Sequence, residues 1–549
     1  MKTRLNIGHL ILLFALAALP FAATFALYYT DERHYTDGAL MMLKDGAWLV
    51  PHAAAGAPRF QKPPLAYWSV AASYMAFGVN VIASRLPFLL ASCGTLFLTY
   101  RLARKLTKSS ETALLAAVVL ATHFQFFLCS IRSIPDALLV FFSTLSAGGF
   151  LRLIVLEEFT AGTFAVAYGG AAGAVLSKGL LGLLIIAFAW GFFVLKNRDG
   201  RALKKIIHWP IFSAAVIFAA SWFIYVFATQ GKVAAEIFFG DQVTGNVHGH
   251  FWSPLVRAPQ FALILFFDFL PWSATAIELL ARRKNLKAGA IPRLANNFIL
   301  AWTTVLILGF ALGENVSPRY LLPAAPLIAI LVADCAQRSE SVHLIFSLHR
   351  ILKIVLIALI LTDAAIFYVD SEWPLPVIAL ALTCGLFLVG IIALGLGVFW
   401  HKSLSAAPAL GLALLLSRPM FFVAAMPVLL PDRSQQIAAI LERTQDDKPR
   451  SVLLVGRSQL AGRVRVLLGK NWTVTQANRL NPADLEHYTR ILISENAVDE
   501  FPRRGWVVQT AATNFGIPTR GELWSALKSR RLPELLARHG QRICLATRR

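Results

Sequence analysis

The first 430 residues alternate long apolar segments with shorter polar ones. A hydrocarbon layer about 30 Å thick requires roughly 20 apolar residues for each helix that crosses it. Thirteen segments of this kind lie at 8–28, 83–101, 112–130, 134–154, 162–178, 180–196, 210–229, 259–280, 296–313, 320–336, 351–369, 375–399 and 405–429. The pattern therefore predicts a polytopic α-helical membrane protein with about 13 transmembrane helices.

The apolar pattern stops at residue 430, and the remaining residues alternate in the way that strands and amphipathic helices do. Strands are predicted at 451–455, 472–476, 490–494, 506–509 and 543–546, and helices at 460–468, 482–488 and 520–539. We therefore predict two domains, a membrane domain at residues 1–430 and a soluble C-terminal α/β domain at residues 431–549.

The composition excludes a soluble globule, because 57% of the residues are hydrophobic, 15% are charged and the mean hydropathy is +0.61. The net charge of +22 could indicate nucleic-acid binding, but the basic residues cluster in alternate loops, as in cytoplasmic loops of membrane proteins. This pattern predicts a cytoplasmic N-terminus, and the outer side is the periplasm if the membrane is the inner membrane of a Gram-negative bacterium. The 29–82 loop and the C-terminal domain would then lie in the periplasm. The first apolar segment has no persuasive cleavage site and is interpreted as an uncleaved helix.

The first outer loop, residues 29–82, carries more acids, bases and aromatic residues than a simple tether needs. Asp31 and Glu32 directly follow the first apolar segment, where partial desolvation raises the basicity of a carboxylate. Such an acid could accept a proton or stabilise positive charge developing on a sugar. The alternative is a solvated helix end. We interpret the stretch as an active-site loop.

Three runs in this loop are shared with a known family: Asp31–Tyr35 (DERHY), Asp45–Pro51 (DGAWLVP) and Phe60–Trp68 (FQKPPLAYW). They resemble the first outer loop of bacterial polyprenyl-phosphate-sugar glycosyltransferases. The nearest resemblance is to the lipid A aminoarabinose transferases, which are related to the protein O-mannosyltransferases. The resemblance extends more loosely over residues 1–430. It implies the GT-C membrane fold and transfer of a sugar from a lipid carrier.

The resemblance also implies roles for the acids. Asp31 matches the family's essential first-loop acid, a base or electrostatic partner at the transferred sugar, and Glu32 stands beside it as a further catalytic candidate. Arg132–Asp136 (RSIPD) resembles the family's second-loop motif, whose acid enters the same cavity, so Asp136 is also a catalytic candidate. Considered without the resemblance, Asp136 could simply favour the positive end of a helix dipole.

Three cations are expected near the phosphate of the donor. Lys62 matches the family lysine at the lipid phosphate, and Lys178 resembles the Lys-Gly of the family's helix pair. Arg319 opens a motif, RYLLP, in which a guanidinium is suited to a bidentate grip on phosphate. The alternatives are lysines that snorkel to the membrane surface and an arginine paired with Glu314.

Tyr35 and Tyr320 accompany these motifs and are expected to contact the substrate. His248 and His250 lie in the large fourth outer loop, where hydrogen bonding to a sugar is favoured over metal binding because further ligands are missing. Gln61 replaces the acid that usually precedes the family lysine, and the fourth loop lacks the family's arginine at 243–246. We therefore predict no metal site and no cofactor, and a divalent metal is the less favoured alternative.

The sequence thus predicts an integral-membrane glycosyltransferase. By resemblance, its sugar would be 4-amino-4-deoxy-L-arabinose, carried on undecaprenyl phosphate and transferred with inversion to lipid A or another outer-face acceptor. No nucleic-acid partner is expected. One alternative is a protein or glycan glycosyltransferase of the same fold. The other is a secondary transporter, which would require ion-coupling acids near the bilayer centre.

Overall fold

The computed structural model describes residues 6–24, 31–54, 56–242, 253–270, 272–273, 289–313, 316–338, 433–443, 450–456, 458–494, 505–515 and 540–548. Up to residue 338, the described chain is almost entirely helical. The helices are α1 (Ile7–Ala22), α2 (Glu32–Asp45), α3 (Leu65–Phe77), α4 (Val81–Thr107), α5 (Ser110–Thr122), α6 (Phe124–Ser130), α7 (Asp136–Ile154), α8 (Ala161–Lys178), α9 (Leu181–Asn197), α10 (Trp209–Gln242), α11 (Ser253–Asp268), α12 (Arg293–Ala311) and α13 (Ala325–Arg338). A short 3₁₀ helix, Pro318–Ala324, leads into α13.

Within their described residues, the first ten predicted apolar windows coincide with helical structure. Within the described ranges, five helices are long and apolar enough to cross a membrane, namely Val81–Thr107, Asp136–Ile154, Trp209–Phe238, Arg293–Ala311 and Pro318–Gln337. Two more, α1 and α9, are apolar but shorter. The last three windows, from 351 to 429, lie outside the described residues. The total of about 13 helices therefore stays a prediction.

The window at 112–130 was predicted as one helix, and this is wrong. It consists of α5 and α6, which meet at an angle of 72°. The bend lies at His123, whose backbone is extended and whose side chain accepts a hydrogen bond from the Phe126 N–H. Just before the bend, Thr122 Oγ1 accepts a hydrogen bond from Trp272 Nε1 at 2.8 Å. Apolarity predicts burial of such a segment but does not detect a helix cap in its middle.

The predicted first outer loop is largely helical, because it contains α2 and α3. Helix α2 ends at Gly46, which adopts a left-handed conformation with φ of +70°. The connection from 46 to 64 is held by two indoles: Trp68 Nε1 donates to the Trp48 carbonyl at 2.7 Å, and Trp222 Nε1 donates to the Leu49 carbonyl at 2.8 Å. These bonds fix the segment that carries the predicted Lys62.

Helices α7 and α8 pack with their backbones in close contact. A Cβ added at Gly170 would lie 2.6 Å from the Ser146 nitrogen, and one at Gly149 would lie 2.5 Å from the Ala167 nitrogen. The Ser146 hydroxyl donates to the Ala167 carbonyl at 2.7 Å across the same contact. Small residues allow this approach, as they do in membrane helix pairs generally. The start of α7 and the end of α8 are thereby brought together.

Helix α8 turns into α9 within two residues. Gly179 has a φ of +78°, which ends α8 directly after Lys178. A Cβ at Gly182 would lie 2.2 Å from the Val175 nitrogen, so the first turn of α9 packs against the last turn of α8. This corner explains why the sequence has almost no loop between the two apolar windows.

The C-terminal residues form a five-stranded mixed sheet in the order β2-β1-β3-β5-β4. The strands are β1 (Ser451–Val455), β2 (Thr473–Ala477), β3 (Arg490–Ser494), β4 (Trp506–Phe515) and β5 (Gly540–Arg548), with helices α14 (Arg433–Arg443), α15 (Ser458–Leu468) and α16 (Pro482–His487). Strand β1 pairs in parallel with β2 and β3, whereas β5 is antiparallel to β3 and β4. Every predicted strand coincides with an observed one. The predicted helix at 520–539 lies outside the described residues, as does the domain boundary at 430.

Two neighbouring glycines of α8 provide a test of the close α7–α8 contact. Gly170→Ala should lower the free energy of unfolding by about 1–3 kcal/mol, because the added methyl group meets backbone atoms that cannot move independently. Gly169→Ala should leave stability unchanged or raise it slightly, because nothing lies within 4 Å of its Cβ position and alanine favours helix. Thermal unfolding in detergent measures both. Equal effects of the two substitutions would contradict this packing.

Candidate active site

A cavity of about 550 Å³ lies where the starts of α2 and α7 meet the α8–α9 corner. Its polar lining consists of Asp31, His34, Tyr35, Arg59, Gln61, Lys62, Asp136, Lys178, Arg319 and Tyr320. Seven of these are site residues predicted from the sequence, and they come from five separate parts of the chain. The motifs spread over nearly 290 residues therefore meet in one place.

Asp136 and Lys178 form the buried end of the cavity. Lys178 Nζ lies 2.6 Å from Asp136 Oδ1, and the Asp136 side chain is only 2% exposed. The pair exists because Asp136 begins α7, Lys178 ends α8, and the glycine contact holds those two ends side by side. A buried carboxylate requires such a partner, since an unpaired charge in this environment is costly.

Arg319 joins the two acids of the cavity. Its Nη2 lies 3.2 Å from Asp31 Oδ2, and its Nη1 lies 3.8 Å from Asp136 Oδ2. Asp31 is the more accessible acid, with 40% of its side chain exposed. The cavity thus presents one carboxylate that faces the opening and another that holds cations in place.

Aromatic rings position the cations further. Lys178 Nζ lies 5.6 Å above the Tyr320 ring centroid, which allows a cation–π interaction. The Tyr320 ring stacks on Phe310 with centroids 4.8 Å apart. On the opposite wall, Tyr35 is 5% exposed and packs against Tyr67 at 5.0 Å between centroids. Burial raises the pKa of Tyr35 well above its ordinary value, so this phenol is neutral at physiological pH.

His34 lies one helical turn after Asp31 on the cavity side of α2. Burial, together with the charges of Arg59 and Arg33, lowers the pKa of His34 to about 4. The imidazole is therefore uncharged at neutral pH and can exchange hydrogen bonds with a polar ligand.

An apolar cleft of about 360 Å³ adjoins the polar cavity. It lies between α8, α9 and α10, with side chains such as Val175, Leu183, Ala219 and Phe223 on its walls. Leu180, at the α8–α9 corner, belongs to the linings of both spaces. A polar and an apolar site therefore meet at one residue.

Comparisons with known proteins relate this arrangement to a family. Residues 61–225 match the family described as dolichyl-phosphate-mannose-protein mannosyltransferase. An uncharacterized protein of Aquifex aeolicus is 30% identical over 365 residues, which are 65% of this chain and 69% of that protein. The undecaprenyl phosphate-alpha-4-amino-4-deoxy-L-arabinose arabinosyl transferase of Serratia proteamaculans is 24% identical over 391 residues, 67% of this chain and 68% of that enzyme.

The crystal structure of ArnT from Cupriavidus metallidurans bound to undecaprenyl phosphate is similar in fold. Its TM-score is 0.69 at 17% identity, with 92% of this chain and 96% of that chain covered. The chain belongs to the polyprenyl-phosphate-sugar glycosyltransferases of the GT-C fold. The predicted family is confirmed, and the protein is a multi-pass membrane enzyme.

The cavity of this glycosyltransferase carries an excess of positive charge. Arg59, Lys62, Lys178 and Arg319 face two carboxylates. Such a site can bind a phosphate group and still leave one accessible acid, Asp31, at the opening.

Glu32, the third predicted catalytic acid, is not in the cavity. Its carboxylate is 1% exposed and forms two hydrogen bonds with Arg85, Nε to Oε2 at 2.8 Å and Nη2 to Oε1 at 2.9 Å. The Ser133 N–H also donates to Oε2, at 3.0 Å. Asp31 caps the start of α2 and lines the cavity, whereas the Glu32 carboxylate is turned towards Arg85 of α4. The geometry places Glu32 in a buried ion pair of the glycosyltransferase, and its catalytic role stays a prediction.

Arg59 and His34 lie in the first outer loop but were not predicted as site residues. The backbone N–H of Arg59 donates to the Pro51 carbonyl at 2.7 Å, and the adjoining His52–Pro58 bridge also fixes this segment. Two signals could have identified these residues: Arg59 lies three positions before Lys62, and His34 follows Asp31 at helical spacing.

His248 and His250 lie outside the described residues. Among the residues that are described, no three His, Cys, Asp or Glu side chains are grouped in a way that could hold a metal ion. The absence of a metal site stays a prediction.

The Glu32–Arg85 pair can be tested against an exposed ion pair of the same enzyme. Glu32→Gln should lower the free energy of unfolding by about 3–5 kcal/mol, because it leaves a buried guanidinium uncompensated. Glu236→Gln should cost less than about 1 kcal/mol, because its partner Lys232 and Glu236 itself are both exposed. Thermal or denaturant unfolding in detergent measures both. A small effect of Glu32→Gln would contradict the described pairing.

His34 provides a pH-dependent prediction. Because its pKa in the folded protein, about 4, lies below the ordinary value of 6.5, protons bind the unfolded chain first as the pH falls. Stability due to neutral His34 is therefore present above pH 6.5 and is lost as the pH falls towards 4.

NMR titration of histidine-labelled enzyme, assigned with His34→Gln, measures this pKa. Arg59→Gln should raise it, because one nearby positive charge is removed, whereas Lys108→Gln, at the exposed far end of α4, should not. A pKa at or above 6.5 in the wild-type enzyme would contradict the assignment of His34 to a buried, positively charged environment.

Proposed function

We propose that this glycosyltransferase moves a sugar from a polyprenyl phosphate of the undecaprenyl class to an acceptor at the outer face of the bacterial inner membrane. One observation carries the proposal: a positively charged cavity meets an apolar cleft at Leu180. A lipid-linked sugar phosphate has the same two parts, an anionic head and a hydrocarbon tail, in the same order. A nucleotide sugar has no hydrocarbon tail and would leave the cleft unused.

The cations of the cavity stabilise the leaving phosphate group. When the bond from the sugar to the phosphate breaks, negative charge grows on the phosphate oxygens. Lys62, Lys178 and Arg319 stabilise that charge, and Arg59 supplies the guanidinium that is missing from the fourth loop. Asp136 acts indirectly, because its carboxylate orients Lys178 and limits the movement of Arg319.

Asp31 is the catalytic carboxylate of this proposal. The acceptor oxygen forms a bond to the anomeric carbon as the bond between that carbon and the phosphate oxygen breaks, and the electron pair leaves with the polyprenyl phosphate. If the acceptor is a hydroxyl group, its proton passes to Asp31. An ionised phosphate acceptor brings no proton, and Asp31 then stabilises the positive charge that develops on the sugar. Attack opposite the leaving phosphate inverts the anomeric centre.

The sugar and the acceptor are proposed from the names of similar proteins. The Serratia relative is named for 4-amino-4-deoxy-L-arabinose carried on undecaprenyl phosphate, and we propose the same donor here. Lipid A, or another outer-face molecule, is the proposed acceptor. A protein or glycan acceptor is the alternative within the same fold.

The proposed orientation has support from a contact between distant parts of the chain. Lys44 Nζ on α2 donates to the Trp472 carbonyl beside β2 at 3.5 Å. This contact supports a position on the same side of the membrane for the first outer stretch and the C-terminal sheet. Together with the basic residues of the opposite loops, this contact supports a periplasmic position for both.

A transport function is less well supported. The acids of the cavity lie at helix ends, Asp31 before α2 and Asp136 at the start of α7. The buried Asp334 accepts a hydrogen bond from the Ala290 N–H at 3.1 Å, which gives it a structural partner. The buried Asp268 is the last residue of α11 and so also lies at a helix end, whereas ion coupling requires acids near the bilayer centre.

A transfer assay with a matched pair of variants tests the function. Membranes that contain equal amounts of enzyme receive radiolabelled polyprenyl-phosphate sugars, and label is measured in lipid and protein fractions. Asp31→Asn should lower transfer by about 10²- to 10⁴-fold, because it removes the acid at the reacting sugar. Asp45→Asn, at the exposed end of the same helix, should keep wild-type transfer.

The fraction that carries the label identifies the class of acceptor. Failure of the wild-type enzyme to transfer label from any donor in a broad set would overturn the proposal. If Asp31→Asn and Asp45→Asn lowered transfer equally, the decrease would not be due to the chemistry of Asp31.

A further inference from the structure

The C-terminal sheet is attached to the catalytic helix α2 by a buried ion pair. Arg465 of α15 lies against Asp37 of α2, with Nη1 of the guanidinium donating to Oδ2 of the carboxylate. Both side chains are less than 10% exposed, 6% for Arg465 and 9% for Asp37. The two residues are 428 positions apart in the sequence.

The guanidinium is held in a single orientation. Its Nε donates to the Val474 carbonyl of β2 at 2.8 Å while Nη1 contacts Asp37. Arg465 is thus fixed by the sheet before it reaches α2. Because its guanidinium contacts both β2 and α2, Arg465 couples the position of the sheet to the position of the helix.

Other contacts run alongside this pair. Lys44, two turns further along α2, donates to the Trp472 carbonyl, and Val466 packs against Val81 at the start of α4. The sheet therefore contacts α2 and the adjoining helix at several points. Among these contacts, Arg465–Asp37 is the one that buries two opposite charges and has a fixed direction.

Asp37 is only six residues from Asp31, and the cavity residues His34 and Tyr35 lie between them on α2. The first turn of α2 is fixed by the Glu32–Arg85 pair. Asp37 is near the middle of the helix. Two fixed points on a rigid helix determine both its position and its rotation about its axis.

We propose that Arg465 is a positioning residue for sugar transfer: through Asp37, the C-terminal sheet sets the rotation of α2 and with it the placement of Asp31 and His34 in the cavity. This inference rests on the proposed function. It gives the C-terminal part a role in the reaction other than acceptor binding or general stabilisation. Displacing a reacting group by about 1 Å can lower the reaction rate on the order of 100-fold.

Steady-state kinetics of purified full-length enzyme tests the inference. The variants are Arg465→Gln, Arg465→Lys, Asp37→Asn and the double variant Asp37→Asn/Arg465→Gln. Arg479→Gln serves as the control, since it removes one positive charge from an exposed position after β2. The amount of folded enzyme is determined for each variant by size-exclusion chromatography and thermal unfolding.

We expect Arg465→Gln to lower kcat per folded molecule by about 10- to 100-fold. The KM for the donor should change by less than about twofold, because Lys178 and Arg319, which bind its phosphate, lie on other elements. Arg465→Lys should recover part of kcat, because it keeps a positive charge near Asp37. Arg479→Gln should behave as the wild type.

The double variant separates positioning from stability. Each single neutral variant leaves one buried charge without its partner and should lower the unfolding temperature, whereas the double variant leaves none and should recover much of it. If Arg465 positions α2, kcat stays low in the double variant although stability returns.

A kcat per folded molecule that follows stability in all variants would overturn the inference in favour of plain stabilisation. An increase confined to the KM for the acceptor would overturn it in favour of acceptor binding. Absence of transfer by the wild-type enzyme would overturn the proposed function itself, and the inference with it.

Discussion

The active-site end of this enzyme depends on one pair of charges that is withdrawn from water, Glu32 and Arg85. Arg85 also donates to the carbonyls of Phe21 and Thr24 at the end of α1, while Glu32 accepts the N–H of Ser133 in the segment before α7. Four separate parts of the chain are therefore joined at one point. Because buried charges tolerate little loss of hydrogen bonding, these parts have little freedom to move independently. Asp31 is adjacent to Glu32, and Asp136 is three residues after Ser133. The same contacts therefore restrict the movement of both acids of the cavity.

Close packing complements that electrostatic junction. The glycines between α7 and α8 bring Asp136 and Lys178 within hydrogen-bonding distance, and the Gly179 corner ends α8 directly after Lys178. The same corner carries Leu180, where the charged cavity gives way to the apolar cleft. Local backbone geometry thus decides where a charged head group and a hydrocarbon chain would meet. The chemistry of the site uses few residues, but their placement requires most of the surrounding helices.

The sequence predicts what depends on local pattern or on family motifs. Apolar periodicity locates the helices, and alternation locates the strands of the C-terminal sheet. The motifs identify Asp31, Lys62, Lys178 and Arg319, which the structure brings together. Charge spacing marks Arg59 as a candidate, but the fold of its segment was not predictable, because the bond from the Trp222 indole to the Leu49 carbonyl joins residues 173 positions apart. Contacts over such distances leave no trace in a local pattern, and the Arg465–Asp37 pair is a further example.

Arg319 lies between both carboxylates of the cavity, and this has a consequence for the order of events. The accessible acid, Asp31, is paired with the Arg319 guanidinium at 3.2 Å. An anion that attracts Arg319 weakens its hold on Asp31, and by thermodynamic reciprocity a ligand that engages Asp31 makes Arg319 more available to the anion. The two halves of a bisubstrate reaction are thereby coupled through a single side chain. On the proposed function, donor binding would thus free Asp31 for the acceptor.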